Sequence, residues 1–381
     1  MAATLSLAWT AGLLLALAST GASVGLRTWA ASLAEPIAPD LWRDAATLIL
    51  YVTMLGAALV TGGAPTAFYS GFALERRYAL SNEPFRRWLR DEVESLGVAW
   101  LLAIVLTSVL YGCIRRWPDG WWLPAGGAFA LMVAGLSHVG PVALLPLFYR
   151  VRPLQQETLQ ARLLALAERT GTPVLGAYEW SASEKTRKAN AALAGLMGTR
   201  RILVSDTMLR EYSDDEIEVV LAHELAHHVH GDLWKGMVFE SALVLGGLLA
   251  ASRVLRAWGA SAGLRGPDDV AGLPLLVLSA GAVVLVMRPV VQAISRASER
   301  RADRFAIELT ANPMAFVSAI RRLGARNLAE EQPSRVVQWI FCDHPPVGDR
   351  IAAAQAFNRG GAPPIPARRG EADREHTCSA V

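Results

Sequence analysis

Lysine, cysteine and charge are what this chain has least of, and each shortage closes off a class of function. Of 37 basic residues only three are lysines, Lys185, Lys188 and Lys235, and the basic and acidic totals differ by 37 − 34 = 3. A net charge of +3 is too small to mark nucleic acid as a partner. The three cysteines, Cys113, Cys342 and Cys378, lie far apart. They leave no disulfide framework and no Cys-rich zinc module, so any metal site must draw on His and carboxylates. Charged residues make up 19% of the chain, below the roughly 25% of soluble domains. With 52% hydrophobic residues, that shortage argues against an ordinary soluble enzyme and against a disordered chain.

What is present instead is a set of apolar runs. A spanning helix needs about 20 apolar residues. Four runs free of Asp, Glu, Lys and Arg reach that length: Met1 to Leu26, Ala45 to Leu74, Ser95 to Ile114 and Gly120 to Tyr149. Two are shorter: Gly236 to Ser252, which carries Glu240, and Val270 to Met287, which continues past Arg288 and Pro289 to Ile294. The expectation is a mainly α-helical membrane protein of about six transmembrane helices. The first run is followed by small residues, Ala18, Ser19 and Ala22, as in a signal peptide. No Lys or Arg precedes it, so it reads as a retained anchor. Arg76, Arg77, Arg86, Arg87 and Arg90 crowd the loop after the second run, against Arg27 and Arg43 after the first and Arg115 and Arg116 after the third. The positive-inside rule then places that loop, both termini and the polar segment Arg150 to Lys235 in the cytoplasm. Arg253, Arg256 and Arg265, between the last two runs, fit this less well.

Within the polar segment, Leu159, Leu163, Leu164 and Leu166 recur at helical spacing over Gln155 to Arg169, with Gly171 and Pro173 as a stop. Val174 to Trp180 and Arg201 to Ser205 read as strands. Ser213 with Glu216 forms a capping box that opens a helix through about His230. Inside it stand His223-Glu224-Leu225-Ala226-His227. Four residues of helix advance about 400°, so the two imidazoles share a face and can share one metal ion. Zn2+ held by two His and one carboxylate keeps a position for water, whose pKa it lowers toward about 7. Glu224 can take a proton from that water and hand it to a leaving amine. His228 and His230 lie on other faces and read as solvated or headgroup-facing.

A third ligand should come from Ser295 to Asp303, just past the last run. Glu299 and, one turn on, Asp303 would share a helix face there, the first as ligand and the second as a carboxylate orienting an imidazole. A solvated charge run at a helix end is the other reading that composition leaves open.

At this point the sequence resembles the type I CAAX prenyl protease family, the Ste24-like membrane zinc endopeptidases, with the HtpX-like quality-control proteases as relatives. The resemblance covers about Ser70 to Ile351. Besides the H-E-x-x-H helix and Glu299 to Asp303, it takes in the run from Gly71 to Asn82, Asn190-Ala191, the run from Ile202 to Leu209, and His344-Pro345-Pro346 with Arg350-Ile351. It implies a small α+β zincin-type metallopeptidase domain on the membrane frame, with one Zn2+ per chain held by His223, His227 and Glu299. Glu224 would be the base and Asp303 would stand behind a ligand. Asn190 would bind substrate backbone beside an edge strand, and His344 and Arg350 would face the tetrahedral intermediate. Without the family, His344 is a loop residue and Arg350 a surface cation. The family's aromatic after Asn-Ala is Ala192 here, and six runs stand where the eukaryotic CAAX proteases have seven spans.

The implied organisation is an N-terminal membrane domain (1–149), a metallopeptidase segment (150–235), a transmembrane hairpin (236–294), the rest of the catalytic domain (295–358) and a Gly- and Pro-rich tail (359–381) that reads as disordered. The implied activity is a metalloendopeptidase acting on peptides or proteins at the cytoplasmic membrane face. Its partners would be the substrate and the lipid bilayer, with no nucleic acid. Prenylated CAAX-type peptides and misfolded membrane proteins are both open as substrates. Scarce lysine and abundant alanine suggest a GC-rich bacterial genome, hence the inner membrane, where prenylated substrates are not expected. A signalling receptor of antirepressor type would need a sizeable external sensor domain, and the external loops here are short.

Overall fold

The structure, a computed structural model, describes residues 2–139, 149–195, 197–326, 330 and 332–360. In chain order the elements used below are helices α1 Ala2–Ser19, α2 Ala22–Ala34, α3 Arg43–Phe68, α4 Phe85–Arg116 and α5 Trp122–Val139, then strand β1 Val151–Pro153, α6 Glu157–Arg169, β2 Ala177–Trp180, β3 Ala191–Ala194, β4 Arg201–Ser205, α7 Asp206–Glu211 and α8 Asp214–Val229. They continue with α9 Asp232–Trp258, α10 Leu273–Thr310, α11 Pro313–Arg326, α12 Arg335–Phe341 and α13 Val347–Gly360. The chain divides into two compact units, residues 1–134 with 237–288 and residues 135–236 with 289–381.

Among the described residues four helical stretches are long and apolar enough to cross a membrane: Asp40–Arg77 around α3, Phe85–Arg116, Asp232–Trp258 and Val270–Thr310 around α10. The first expected span is not one straight helix. It is the pair α1 and α2, bent by 81°. Gly21 at the junction has φ +76°, a left-handed conformation that glycine adopts without steric cost and that ends a helix. Of the expected fourth span, Trp122–Leu136 is an apolar helix, and residues 140–148 lie outside the described ones. Tyr51, Tyr111, Ile114 and Trp121 are fully buried in the first unit, with Leu48, Leu55, Leu255 and Leu273 around them. Leu15, Leu101, Leu131 and Val286 are exposed, as lipid-facing side chains are. Buried polar groups deep in this unit find partners: Ser23 Oγ donates to Ala271 O at 2.6 Å, and Arg27 holds Asp269, since an unpaired charge in such a place would cost several kcal/mol.

The second unit holds a four-stranded sheet in the order β1-β2-β4-β3, with β2 parallel to β4 and the outer strands antiparallel to their neighbours. β4 and α6 lie where the sequence pattern puts them. β1 and β3 carry no local signal: β1 contains Pro153, and β3 is Ala-Ala-Leu-Ala without a β-branched residue. They are strands because β2 and β4 offer them open edges. Leu159 and Leu163 of α6, Ile202 and Val204 of β4, Ile217, Leu221 and Leu225 of α8, and Phe316 and Ile320 of α11 form one buried core. α13 runs through Gly360, so the first two residues of the expected tail are helical; residues 361–381 lie outside the described ones.

Candidate metal centre

α8 is built to carry polar groups on one face. Ser213 Oγ accepts from the Glu216 backbone and the Glu216 carboxylate accepts from the Ser213 backbone, closing the expected capping box. Ile217, Leu221, Ala222, Leu225 and Ala226 are buried and anchor the helix, which leaves His223, Glu224 and His227 for the remaining face. α10 runs unbroken through Pro289 and brings Glu299 and Asp303 to the same place. Ala302, between them, is fully buried; its small side chain lets α10 come close.

Three donor groups converge. His223 Nε2 lies 3.2 Å from Glu299 Oε2, His227 Nε2 lies 3.3 Å from Glu299 Oε1, and the two Nε2 atoms are 3.4 Å apart. Two ligands at 2.0–2.1 Å from a common tetrahedral zinc are about 3.4 Å from each other, so this spacing is that of a metal's coordination edge. The far nitrogens bear out the match. His223 Nδ1 is 2.9 Å from Asp303 Oδ1, and His227 Nδ1 bonds Asp232 Oδ2 at 3.1 Å. With Nδ1 turned to a carboxylate in both rings, both Nε2 lone pairs point into one small space with a carboxylate, a set that repels itself unless a cation or protons sit between. Among the described residues the buried Glu299 Oε2 accepts no well-aligned hydrogen bond, although His223 Nε2 and His344 Nε2 stand 3.2 and 3.3 Å from it. The donor set therefore fits a divalent metal such as zinc.

The electrostatics of the two imidazoles point the same way. Burial favours the neutral form of His223, but Asp303 and Glu299 outweigh it and raise its pKa from 6.5 to about 9. His227 is raised too, by Glu299 and Asp232 against the effect of burial. Without a metal the protein would hold protons where the metal goes. Burial raises the Glu224 carboxyl, against the pull of the two imidazoles.

A cleft of about 720 Å3 opens beside these groups, lined by Asn190, Glu224, His344 and Arg350 among others. Asn190 is exposed and leads into β3, the sheet edge. His344 Nε2 is 3.3 Å from Glu299 Oε2, and its Nδ1 is 2.9 Å from Asp343 Oδ1. All eight residues singled out in the sequence thus meet in one unit. Three features differ from expectation. Arg350 spends Nε and Nη2 on Asp303, at 2.8 and 2.6 Å. His228 is half-buried, its ring bonded to the Leu193 backbone and its pKa lowered by burial, and the His230 ring packs edge-on to Phe305 at 5.5 Å. Neither is solvated or turned to headgroups, because α8 is packed by β3 and α10 as well as by its core. The third is Asp232, which the sequence reading missed. Its signal was an acid directly after Gly231, where α8 ends.

The family model described as peptidase family M48 matches residues 153–358, more than half of the chain. The chain belongs to peptidase family M48. A second model, the CAAX prenyl protease N-terminal region with five membrane helices, matches residues 2–150. M48 relatives include an uncharacterized metalloprotease, YhfN, of Bacillus subtilis, 28% identical over 82% of this chain and 76% of its own length. CAAX prenyl protease 1 of Saccharomyces cerevisiae is 26% identical over 55% of this chain and 48% of its own length, so about half of that yeast protein is spanned. Among solved structures, S. mikatae Ste24p shares the fold, with a TM-score of 0.75 and 21% identity over 87% of this chain and 79% of that one. This M48 member is a membrane metalloendopeptidase with the fold of Ste24.

Proposed function

We propose that the chain is a membrane-embedded zinc endopeptidase whose ion is held by His223, His227 and Glu299. The observation that carries this is the 3.2 to 3.4 Å triangle of two Nε2 atoms and one carboxylate. Zinc supplies a Lewis acid that makes water a nucleophile near neutral pH. Glu224, at the cleft wall and with its pKa raised by burial, takes the proton of the attacking water and passes it to the leaving amine. His344 donates to the oxyanion as the carbonyl becomes tetrahedral, where a placed donor is worth most. Asn190 and the edge of β3 hold the peptide backbone by strand addition. The arginines after the second span support a site at the cytoplasmic face.

Lysine scarcity favours a bacterial inner membrane, and with it unprenylated protein substrates over CAAX peptides. The test uses purified, detergent-solubilised protein on a peptide library, with a farnesylated peptide and its unprenylated twin included. Turnover that a chelator abolishes and zinc restores is expected, with Glu224→Gln keeping stoichiometric zinc and losing about 100-fold or more in kcat. Undiminished turnover in Glu224→Gln would sink the mechanism, and faster cutting of the farnesylated twin would reverse the substrate assignment.

A further inference from the structure

Each imidazole has a carboxylate behind it, and each carboxylate has a guanidinium behind it. One chain of contacts is His223, Asp303 and Arg350. The other, which helical periodicity does not announce, is His227, Asp232 and Arg301. His227 Nδ1 bonds Asp232 Oδ2 at 3.1 Å, and Arg301 Nη2 donates to Asp232 Oδ1 at 2.9 Å and to Ser298 Oγ at 2.9 Å.

The backbone explains how Asp232 comes to be there. Five residues along an unbroken helix, a side chain points about 140° away from the starting one, so Asp232 on a continued α8 would face away from His227. Gly231 breaks the helix with φ +65°, and α9 starts again at Asp232 with its carboxylate folded back. Arg301 stands two residues past Glu299 on α10, so Asp232 ties the end of α8 to the helix that carries the third donor.

The two chains are not equivalent. The His223 side chain is 10% exposed and that of His227 is 24%, and Arg301 is half-exposed where Arg350 is nearly covered. His227 is the donor nearer solvent, the one a metal would leave first. Lys235 Nζ, 3.8 Å from Asp232 Oδ1, adds positive charge on that side.

We infer that Asp232, held by Arg301, is the positioning residue for His227 and governs how long the site retains its metal. The inference rests on the zinc reading above. Asp232 fixes the proton on Nδ1, so that Nε2 always offers its lone pair, and holds the ring against the rotation by which it would let go. Arg301 prevents the carboxylate from turning to solvent.

The experiment compares the full-length solubilised protein with Asp232→Ala, Asp232→Asn, Arg301→Gln and His227→Ala, reading zinc affinity by chelator competition, zinc release rate, the visible spectrum of the cobalt-loaded protein and the unfolding temperature of the metal-free form. Asp232→Ala should bind zinc about 10- to 100-fold more weakly, chiefly through faster release. Asp232→Asn and Arg301→Gln should fall between it and the parent. The loss of zinc affinity should exceed what any fall in the metal-free unfolding temperature accounts for, and most of kcat should return at saturating zinc. Parental affinity and release rate in Asp232→Ala would overturn the inference. So would a loss of affinity that only tracks lost stability of the metal-free protein, since that is the mark of a helix-start residue and nothing more. His227→Ala separates the two levels: if it binds zinc as the parent does, the zinc site itself is misassigned, whereas weak binding there beside parental binding in Asp232→Ala rejects only the role of Asp232.

Discussion

Arg350 grips Asp303 through two nitrogens, at 2.8 and 2.6 Å, while the same carboxylate stands 2.9 Å from Nδ1 of His223. The guanidinium thus holds the carboxylate that stands behind His223, and it also borders the cleft. Arg350→Lys replaces a planar fork with a point charge on a flexible stem and cannot keep both bonds. Zinc affinity is expected to fall about 10-fold and kcat/KM at least as far. If kcat/KM falls with zinc affinity unchanged, Arg350 serves the transition state alone.

The raised pKa of His223 predicts a pH signature of the metal-free protein. A group whose pKa is about 9 when folded and 6.5 otherwise binds its proton more tightly in the native state. Its contribution to stability is complete below about pH 6.5 and is lost as pH rises through 9. Metal-free protein should therefore unfold more easily at pH 9.5 than at pH 6.5, and zinc-loaded protein should not follow it. Because the proton competes with the metal, zinc affinity should rise with pH up to about 9. A flat affinity profile from pH 6 to 9 would contradict the contacts of His223.

The start of α8 offers a control that touches no donor. Ser213→Ala removes one half of the capping box and should cost about 1 kcal/mol of stability. Glu216→Ala should cost more, because Glu216 is buried and also accepts from Ser318 Oγ at 2.6 Å. Denaturant unfolding checks both, and zinc affinity well below the unfolding temperature should match the parent in each.

Asn190 sits at the mouth of the edge strand, its backbone tied to Ser205 on both sides and its side chain exposed. Asn190→Ala should raise KM several-fold with kcat little changed for long peptides, since the contact is remote from the scissile bond. A selective loss of kcat would place Asn190 at the reacting carbonyl instead.

Legibility followed the range of the interactions. α8 announced itself through Ser213, Glu216 and the spacing of His223 and His227, all within one helix. Glu299 and Asp303 lie 72 or more residues beyond His227 in sequence, and their role could be read only through family likeness, since a solvated charge run has the same composition. β1 and β3 were silent because a three-residue strand with proline and an all-small strand have no propensity to display. The bend between α1 and α2 turns on the single Gly21, which a count of apolar residues does not register. Asp232 was missed for a related reason: helical periodicity places it on the wrong face, and only the break at Gly231 corrects that.

By itself the sequence determined that the chain is a helical membrane protein and that two imidazoles share one helix face beside a glutamate, because apolar run length and 3.6-residue periodicity are local properties. The tertiary structure decided that Glu299 closes the triangle and that Asp303 and Asp232 each stand behind one imidazole. It also decided that Arg350 and Arg301 hold those carboxylates. Those are contacts between helices, set by how buried alanines and leucines let α8, α9 and α10 approach, and no local pattern encodes a distance across that gap.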